Sequence, residues 1–258
     1  MMILEDRLQE LSNITLDRNS HDSFEQGHCA LEVVAWLAGE EHSDAPQCVS
    51  TVLTEMIISI NDQWDHETRQ KLLPLLPSMA GTRGDGKDSE RLYLAIDWMV
   101  RVCLPAFLET AGLTTDAKEL TALKKIQGPS ASLEARLILD DLHENIYDKG
   151  EVLLQNFNSK DYEDLHKSLL EILQKTAVSS VYEAFMSDSV EVESEEVFDL
   201  ASIAWSTANR VVELTLLNAI HGLDSSDQSN LEDTASTMQE SLLALLPIII
   251  DPSTQGQV

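Results

Sequence analysis

Basic residues are the scarcest polar class in this chain. Across 258 residues, 17 Lys and Arg stand against 45 Asp and Glu, for a formal net charge of -28. A surface with that balance repels the phosphates of nucleic acids and anionic membranes, which disfavours direct binding to DNA or RNA. Cysteine is scarce too: Cys29, Cys48 and Cys103 are too few and too irregular for a disulfide framework, so buried reduced thiols are expected. No apolar run approaches the roughly 20 residues that span a bilayer. The acidic start MMILEDRLQEL lacks the basic n-region of a signal peptide, and a cytoplasmic location is therefore expected. No stretch alternates with period two and none repeats at a fixed spacing, which argues against strands and solenoids. His-Glu-x-x-His, Gly-x-Ser-x-Gly and Cys-x-x-Cys are all missing, and with them the strong signatures of hydrolases and redox proteins.

What is present is helical periodicity. The hydrophobic fraction of 43% and charged fraction of 24% suit a folded chain. Ser23, with Gln26 three residues on, reads as the N-cap of a helix that runs through Ala38 and ends at Gly39. Val49, Val52, Leu53, Met56, Ile57 and Ile60 form the clearest apolar face. Asp65 reads as the N-cap of a shorter helix that Pro74 and Pro77 stop, and a glycine-rich loop follows from Gly81 to Asp88. Leu92, Ala95, Ile96, Met99 and Cys103 make another stripe, bent or restarted at Pro105, and a cap pattern at Thr115, Asp116 and Glu119 opens a helix to Ile126. Helical runs over residues 132–157, 161–185 and 201–219 follow, then a last stripe of Leu231, Ala235, Met238, Leu242, Leu245 and Leu246. The expectation is an all-α, multi-helix bundle of about nine or ten helices, either one body or two packed helical halves. The halves would be residues 1–126 and 133–250, with a short linker at 127–132 and a flexible tail at 251–258.

Several tempting sites fail on spacing. His28, Cys29, His42 and Cys48 are zinc-type ligands, but Cys29 lies about ten residues before the turn that Cys48 adjoins, which sets the two at different heights of a helical hairpin. The elements ending in His143 and His166 resemble halves of a di-iron site, yet their axial offset in an ideal hairpin is on the order of 13 Å. Gly81-Thr82-Arg83-Gly84-Asp85-Gly86-Lys87 has glycines and bases without P-loop spacing or a preceding strand. The four tryptophans, Trp36, Trp64, Trp98 and Trp205, read as core anchors, and Asp97 with Arg91 and Arg101 reads as a polar network bridging helices. No metal, cofactor or catalytic residue is assigned.

The segments Cys29-Ala30-Leu31-Glu32, Ala38-Gly39-Glu40, Pro46-Gln47-Cys48-Val49-Ser50, Asn61-Asp62, Leu75-Leu76-Pro77 and Gly81-Thr82-Arg83 together resemble a family of uncharacterised proteins from bacteria and their phages. The resemblance is sharpest over residues 27 to 112. It implies no activity, because that family has no established one, and its segments favour an aromatic residue where His42 stands here.

Two functional classes follow. The first is a non-enzymatic acidic interaction protein that binds a protein partner with a basic surface, as a nucleic-acid-mimicking inhibitor or an adaptor. Its acidic interaction face would be Glu191, Glu193, Glu195, Glu196, Asp199, Asp224 and Asp227. The alternative is an all-α enzyme or ligand-binding protein with a polar site near Glu32, Asp62, Arg83, Asp97 and Arg101. Homo-oligomerisation is compatible with either. Glu32, Glu40, Asp44, Asn61 and Asp62 frame two apolar helices and are expected to cap them and to anchor the loop at Gly81 to Arg83.

Overall fold

The computed structural model describes residues 3–110, 113–128, 135, 137–139, 141–142 and 225–254, with backbone alone over 225–231. All regular structure among these residues is helical, and they contain no strand. The fold is thus the all-α, multi-helix type that the periodicity predicts. No helix among them is long and apolar enough to cross a membrane.

Two compact units share the chain. Residues 3–92 and 242–254 belong to the first, and the described residues from 93 to 241 belong to the second. The boundaries fall inside helices, after Leu92 and after Ser241.

In the first unit, α1 (Glu5–Glu10) is followed by a long irregular segment, α2 (Ala30–Ala38), α3 (Thr51–Gln63) and α4 (His66–Gln70). The α2 helix is buried on nearly every side: Ala30, Leu31, Glu32, Val33, Val34, Ala35 and Leu37 are all inside. Its start differs from the expectation. Gln26 N–H donates to the Ser23 carbonyl in a turn, and the helix begins at Ala30 with Cys29 as N-cap. Gly27 is the physical reason, because its φ of 142° breaks any helix entering from Ser23. The far end is as predicted. Gly39 adopts φ 74°, and its N–H and that of Glu40 return to the carbonyls of the last turn.

The predicted face of α3 is inside, with Val52, Leu53, Met56, Ile57 and Ile60 all buried below Val49. Each such side chain contributes about 1.5–3 kcal/mol relative to exposure. Ser50 caps the helix through its Oγ, which accepts from Leu53 N–H. At the other end the buried Arg69 donates to the carbonyls of Asn61 at 2.6 Å and Trp64 at 2.7 Å, satisfying acceptors that the helix leaves free. Asp65 caps α4 as expected, accepting from Glu67 and Thr68 N–H. The chain then tightens into a 3₁₀ helix at Leu73–Met79, where Pro74 and Pro77 lack the N–H groups an α-helix needs.

In the second unit, the later part of α5 (Asp88–Trp98) passes into a π-helical turn, Met99–Cys103, before α6 (Leu104–Thr110). Leu104 N–H reaches back five residues to the Met99 carbonyl, and Pro105 sits in the first turn of α6. The restart expected at the proline is accordingly a π-turn placed before it. The next helix, α7 (Thr114–Ala122), starts one residue early, after Leu113, with no side-chain cap bond, so Thr115 is inside the helix. Ala135, Leu139 and Leu142 are buried on one helical side. The remaining expectations for residues 143–224, Trp205 and His166 among them, lie outside the described residues.

The last helix, α8 (Ser225–Ile250), buries Ala235, Met238, Leu242 and Leu246 of the predicted stripe. The segment expected to trail off from residue 251 is held through Thr254. It forms a short 3₁₀ turn, with Asp251 accepting from Ser253 N–H and Oγ–H.

Candidate functional site

Among the described residues of the first unit, one dense polar cluster surrounds Glu32, in the first turn of α2 and 1% exposed. Its carboxylate accepts from His21 N–H at 2.6 Å and from Cys29 N–H at 2.7 Å, while the Cys29 sulfur accepts from Glu32 N–H to close a capping box. His21 Nδ1 donates to the second oxygen at 2.9 Å, and His42 Nε2 lies 3.3 Å from the first. Burial pushes the Glu32 carboxyl up, but the backbone donors and the two imidazoles outweigh it and hold the group below the usual range.

His42 Nε2 also donates to the His21 carbonyl at 3.0 Å, which places its proton on that nitrogen. The other ring nitrogen, Nδ1, is buried without a partner. Phe24 stacks on His28 at 4.1 Å and on Trp36 at 4.9 Å, and it meets His42 edge-on. Arg7 lies over the Trp36 ring, 5.3 Å from its centroid, and donates to the Trp36 carbonyl. The segment from His21 to His28 is thus wrapped on α2 by one anion and one aromatic stack. That arrangement fixes a loop and leaves the carboxylate buried among four N–H groups.

Asn61 and Asp62 finish the same end of the helix pair. Asn61 Oδ1 accepts from Ala30 N–H, and its amide donates to the Asp17 carbonyl and to Asp62, which also receives Asn19 N–H at 2.8 Å. Glu40 accepts from Gln47 N–H in the turn between α2 and α3. A cleft beside these groups, lined by Asn19, Cys29, Asp44, Asn61 and Asp62 among others, has enclosed space on the order of one water molecule. It is too small for a metabolite.

The Gly81–Lys87 loop is anchored by other residues than the five expected to hold it. Gly81 and Arg83 N–H both donate to the Cys48 carbonyl, Thr82 Oγ accepts from Ser50 N–H, and Arg83 Nη1 donates to the Val49 carbonyl at 3.3 Å. Its Asp85 carboxylate meets Arg91, which is fully buried, while Lys87 Nζ pairs with Asp251 at 2.7 Å. The guanidinium gives its five N–H groups to Asp85 at 2.8 and 2.5 Å, Asp88 at 3.0 Å, and the carbonyls of Ile249 at 3.2 Å and Ile250 at 2.9 Å. Asp88 in turn accepts from Ser50 Oγ–H. The N–H groups of Gly81, Arg83, Asp85 and Lys87 are thus spent on the loop's own neighbours and not left for a phosphate.

Glu32, Asp62 and Arg83 therefore serve three separate sets of partners. Asp97 and Arg101, in the second unit, pair with each other at 3.1 Å, and Asp97 also accepts Ile126 N–H at 2.6 Å. Trp98 Nε1 donates to Ser241 Oγ, whereas Arg91 belongs to the loop network just described. The network expected around Asp97 is thus divided. Among the proposed acidic-face residues, Glu191, Glu193, Glu195, Glu196, Asp199 and Asp224 lie outside the described residues, and Asp227 is on the first turn of α8.

All three thiols are free and buried. Burial pushes Cys29 up to about 12 and Cys48 up to about 11, and it pushes the fully enclosed Cys103 up as well. Among the described residues, no group of three or more His, Cys, Asp and Glu is arranged to hold a metal ion. What sequence reading missed was His21 as the partner of Glu32. The only available signal was the Cys29-to-Glu32 spacing, which is that of a capping box with sulfur in place of a hydroxyl.

The comparisons add no identity to the all-α class that the fold defines. No protein-family model, no curated protein and no solved structure matches the chain.

Proposed function

We propose that this protein is a non-enzymatic, acidic interaction protein that binds a protein partner with a basic surface. The observation that carries the reading is where its few bases go. Of a chain with 17 Lys and Arg against 45 acids, Arg69 and Arg91 are buried in the first unit and committed to internal acceptors. Glu5, Asp6, Glu10, Asp22, Glu25 and Glu41 of the same unit are exposed. Among the described residues of the first unit, the surface is thus even poorer in bases than the composition. A field of that sign speeds encounter with a cationic surface and repels an anionic one. The polar groups that would serve catalysis, Glu32 and Asp62 above all, are occupied by internal donors, which supports the non-enzymatic form. The resemblance to proteins of bacteria and their phages belongs to the same proposal, since it brings no competing activity.

Affinity capture with the tagged full-length chain from a bacterial lysate tests this. At about 0.1 M salt the expected captives are basic proteins, released near 0.5 M as screening shortens. Displacement of those captives by duplex DNA would mark the protein as a nucleic-acid mimic, whereas retention would mark an adaptor. Captives without a basic surface, or none at all, would remove the reading.

A further inference from the structure

Bases are few in a chain of net charge -28, and acids are everywhere to pair them. Among the described residues, the Lys and Arg side chains that do so are Lys87, Arg91 and Arg101, and Arg7 is not one of them. It has Asp6 beside it and Glu10 three residues on, a spacing at which helical ion pairs form, yet both carboxylates are left exposed. The Arg7 guanidinium goes instead to α2. There Nη1 donates to the Trp36 carbonyl, and the group lies over the Trp36 ring, 5.3 Å from its centroid. That carbonyl belongs to the last turn of α2, the negative end of the helix. Phe24 stacks on the same indole at 4.9 Å and His28 on Phe24 at 4.1 Å, so further rings hold the half-buried Trp36 in place. A flat ring beside a carbonyl thus takes this cation in preference to two carboxylates on its own helix.

We infer that the Trp36 ring and carbonyl form a guanidinium site, which Arg7 fills in the free protein and an arginine of the basic partner fills in the complex. The inference rests on the reading of the chain as one that binds a basic surface, and it names the side chain that surface presents. A guanidinium is weakly hydrated and stacks on an indole, whereas an ammonium is a compact and strongly hydrated charge. The site therefore selects arginine over lysine. Exchange needs only the Arg7 side chain to swing aside, because α1 buries none of its residues. Glu10 then lies within reach of the displaced cation. Asp22 and Glu25, on either side of Phe24 in the chain, and Glu41, just past the end of α2, are exposed and add to the field that draws a second cation in. An internal occupant lowers the apparent affinity for an external one by the fraction of time the site stands free, so Arg7 is a built-in competitor that weak partners do not displace.

A dye-labelled hexa-arginine peptide titrated into the full-length chain at about 0.15 M salt, read by fluorescence anisotropy, tests this. Arg7→Ala should tighten binding about tenfold, because the internal competitor is gone. Arg18→Ala removes the same charge from an exposed residue of the same unit and should tighten it about twofold at most, through the field alone. Hexa-lysine should gain no more from Arg7→Ala than from Arg18→Ala, and Trp36→Leu in the Arg7→Ala chain should cancel the gain for hexa-arginine. Equal gains from the two arginine variants, or a gain that survives Trp36→Leu, overturn the inference. Should Trp36→Leu fail to fold, the Arg7→Ala chain decides by heteronuclear NMR. Its Trp36 indole N–H should shift as hexa-arginine is added, while those of the buried Trp64 and Trp98 stay in place. An unmoved Trp36 overturns it. Equal gains with basic proteins still captured from lysate remove this site and leave the acidic reading standing, whereas no binding of peptide or lysate protein by any variant removes both.

Discussion

Glu32 and Arg91 are buried charges of opposite sign in the same unit, and they are neutralised in opposite ways. Glu32 is an anion whose partners are N–H groups, two from the backbone and two from imidazoles, all within 11 positions of it. Arg91 is a cation whose partners are carboxylates three and six positions away and carbonyls 158 and 159 positions away. The first arrangement fixes a loop to a helix start. The second ties the last turn of α8 to a loop. The lesson is that a buried ion's cost is set by its full set of partners, and that only the local set has any trace in sequence spacing.

The comparison can be broken most forcefully at Arg91. Arg91→Met leaves Asp85, Asp88 and two carbonyls without their donor, and a loss of about 3–5 kcal/mol is expected in urea unfolding. A loss below about 1 kcal/mol would show that water satisfies those groups as well as the guanidinium does. Glu32→Gln should cost less, about 2–3 kcal/mol, because one amide oxygen still accepts from the local N–H groups while the charge-assisted bonds to the histidines are lost.

The same variant sharpens the pH dependence. Arg91 beside Asp85 and Lys87 beside Asp251 hold those carboxyls down, the latter to about 2, and the donors around Glu32 lower it despite burial. Folded values below the unfolded ones, near 4, mean that this stability is complete above about pH 5 and is lost as pH falls through the folded values. Glu55, raised by burial, works in the opposite direction and offsets part of the loss. Unfolding measured between pH 5 and pH 2.5 should therefore show a shallower acid decline for Glu32→Gln than for wild type, and equal slopes would count against the lowered Glu32 value.

Gly27→Ala tests whether the anion depends on its loop. A Cβ there would lie 2.7 Å from His21 Nε2, at a φ of 142° that alanine adopts poorly, and about 1–2 kcal/mol should be lost. In a double-mutant cycle with Glu32→Gln the two losses should be less than additive, since both displace His21. Full additivity would separate the loop from the carboxylate. The smallest effect is expected at Ser50→Ala, about 1 kcal/mol, from the cap of α3 and its bond to Asp88.

Much of the first unit was legible beforehand. The α3 face, the Asp65 cap and the stop at Gly39 were readable because each depends on residues within a few positions of one another. The start of α2 was misread, because Ser23 and Gln26 make a plausible capping pair and the strain that excludes them resides in the φ of Gly27. The expectation that Glu32, Glu40, Asp44, Asn61 and Asp62 anchor the Gly81 loop failed for a different reason. The anchors are backbone groups, the Cys48 and Val49 carbonyls and Ser50 N–H, and backbone groups are invisible to residue-type reasoning. Of the proposed polar site, Glu32, Asp62 and Arg83 each have partners of their own, while Asp97 and Arg101 pair with each other, and residue type by itself carries none of these pairings.

By itself the sequence determined the helical class, the apolar faces and the acid surplus, since periodicity and composition act locally or as sums over the chain. Only the tertiary structure decided which charges are inside and what they hold. Whether Glu32 meets His21, or Arg91 meets Ile250, depends on how the backbone brings distant donors and acceptors together, and hydrogen bonds are made only where that geometry places them within about 3 Å.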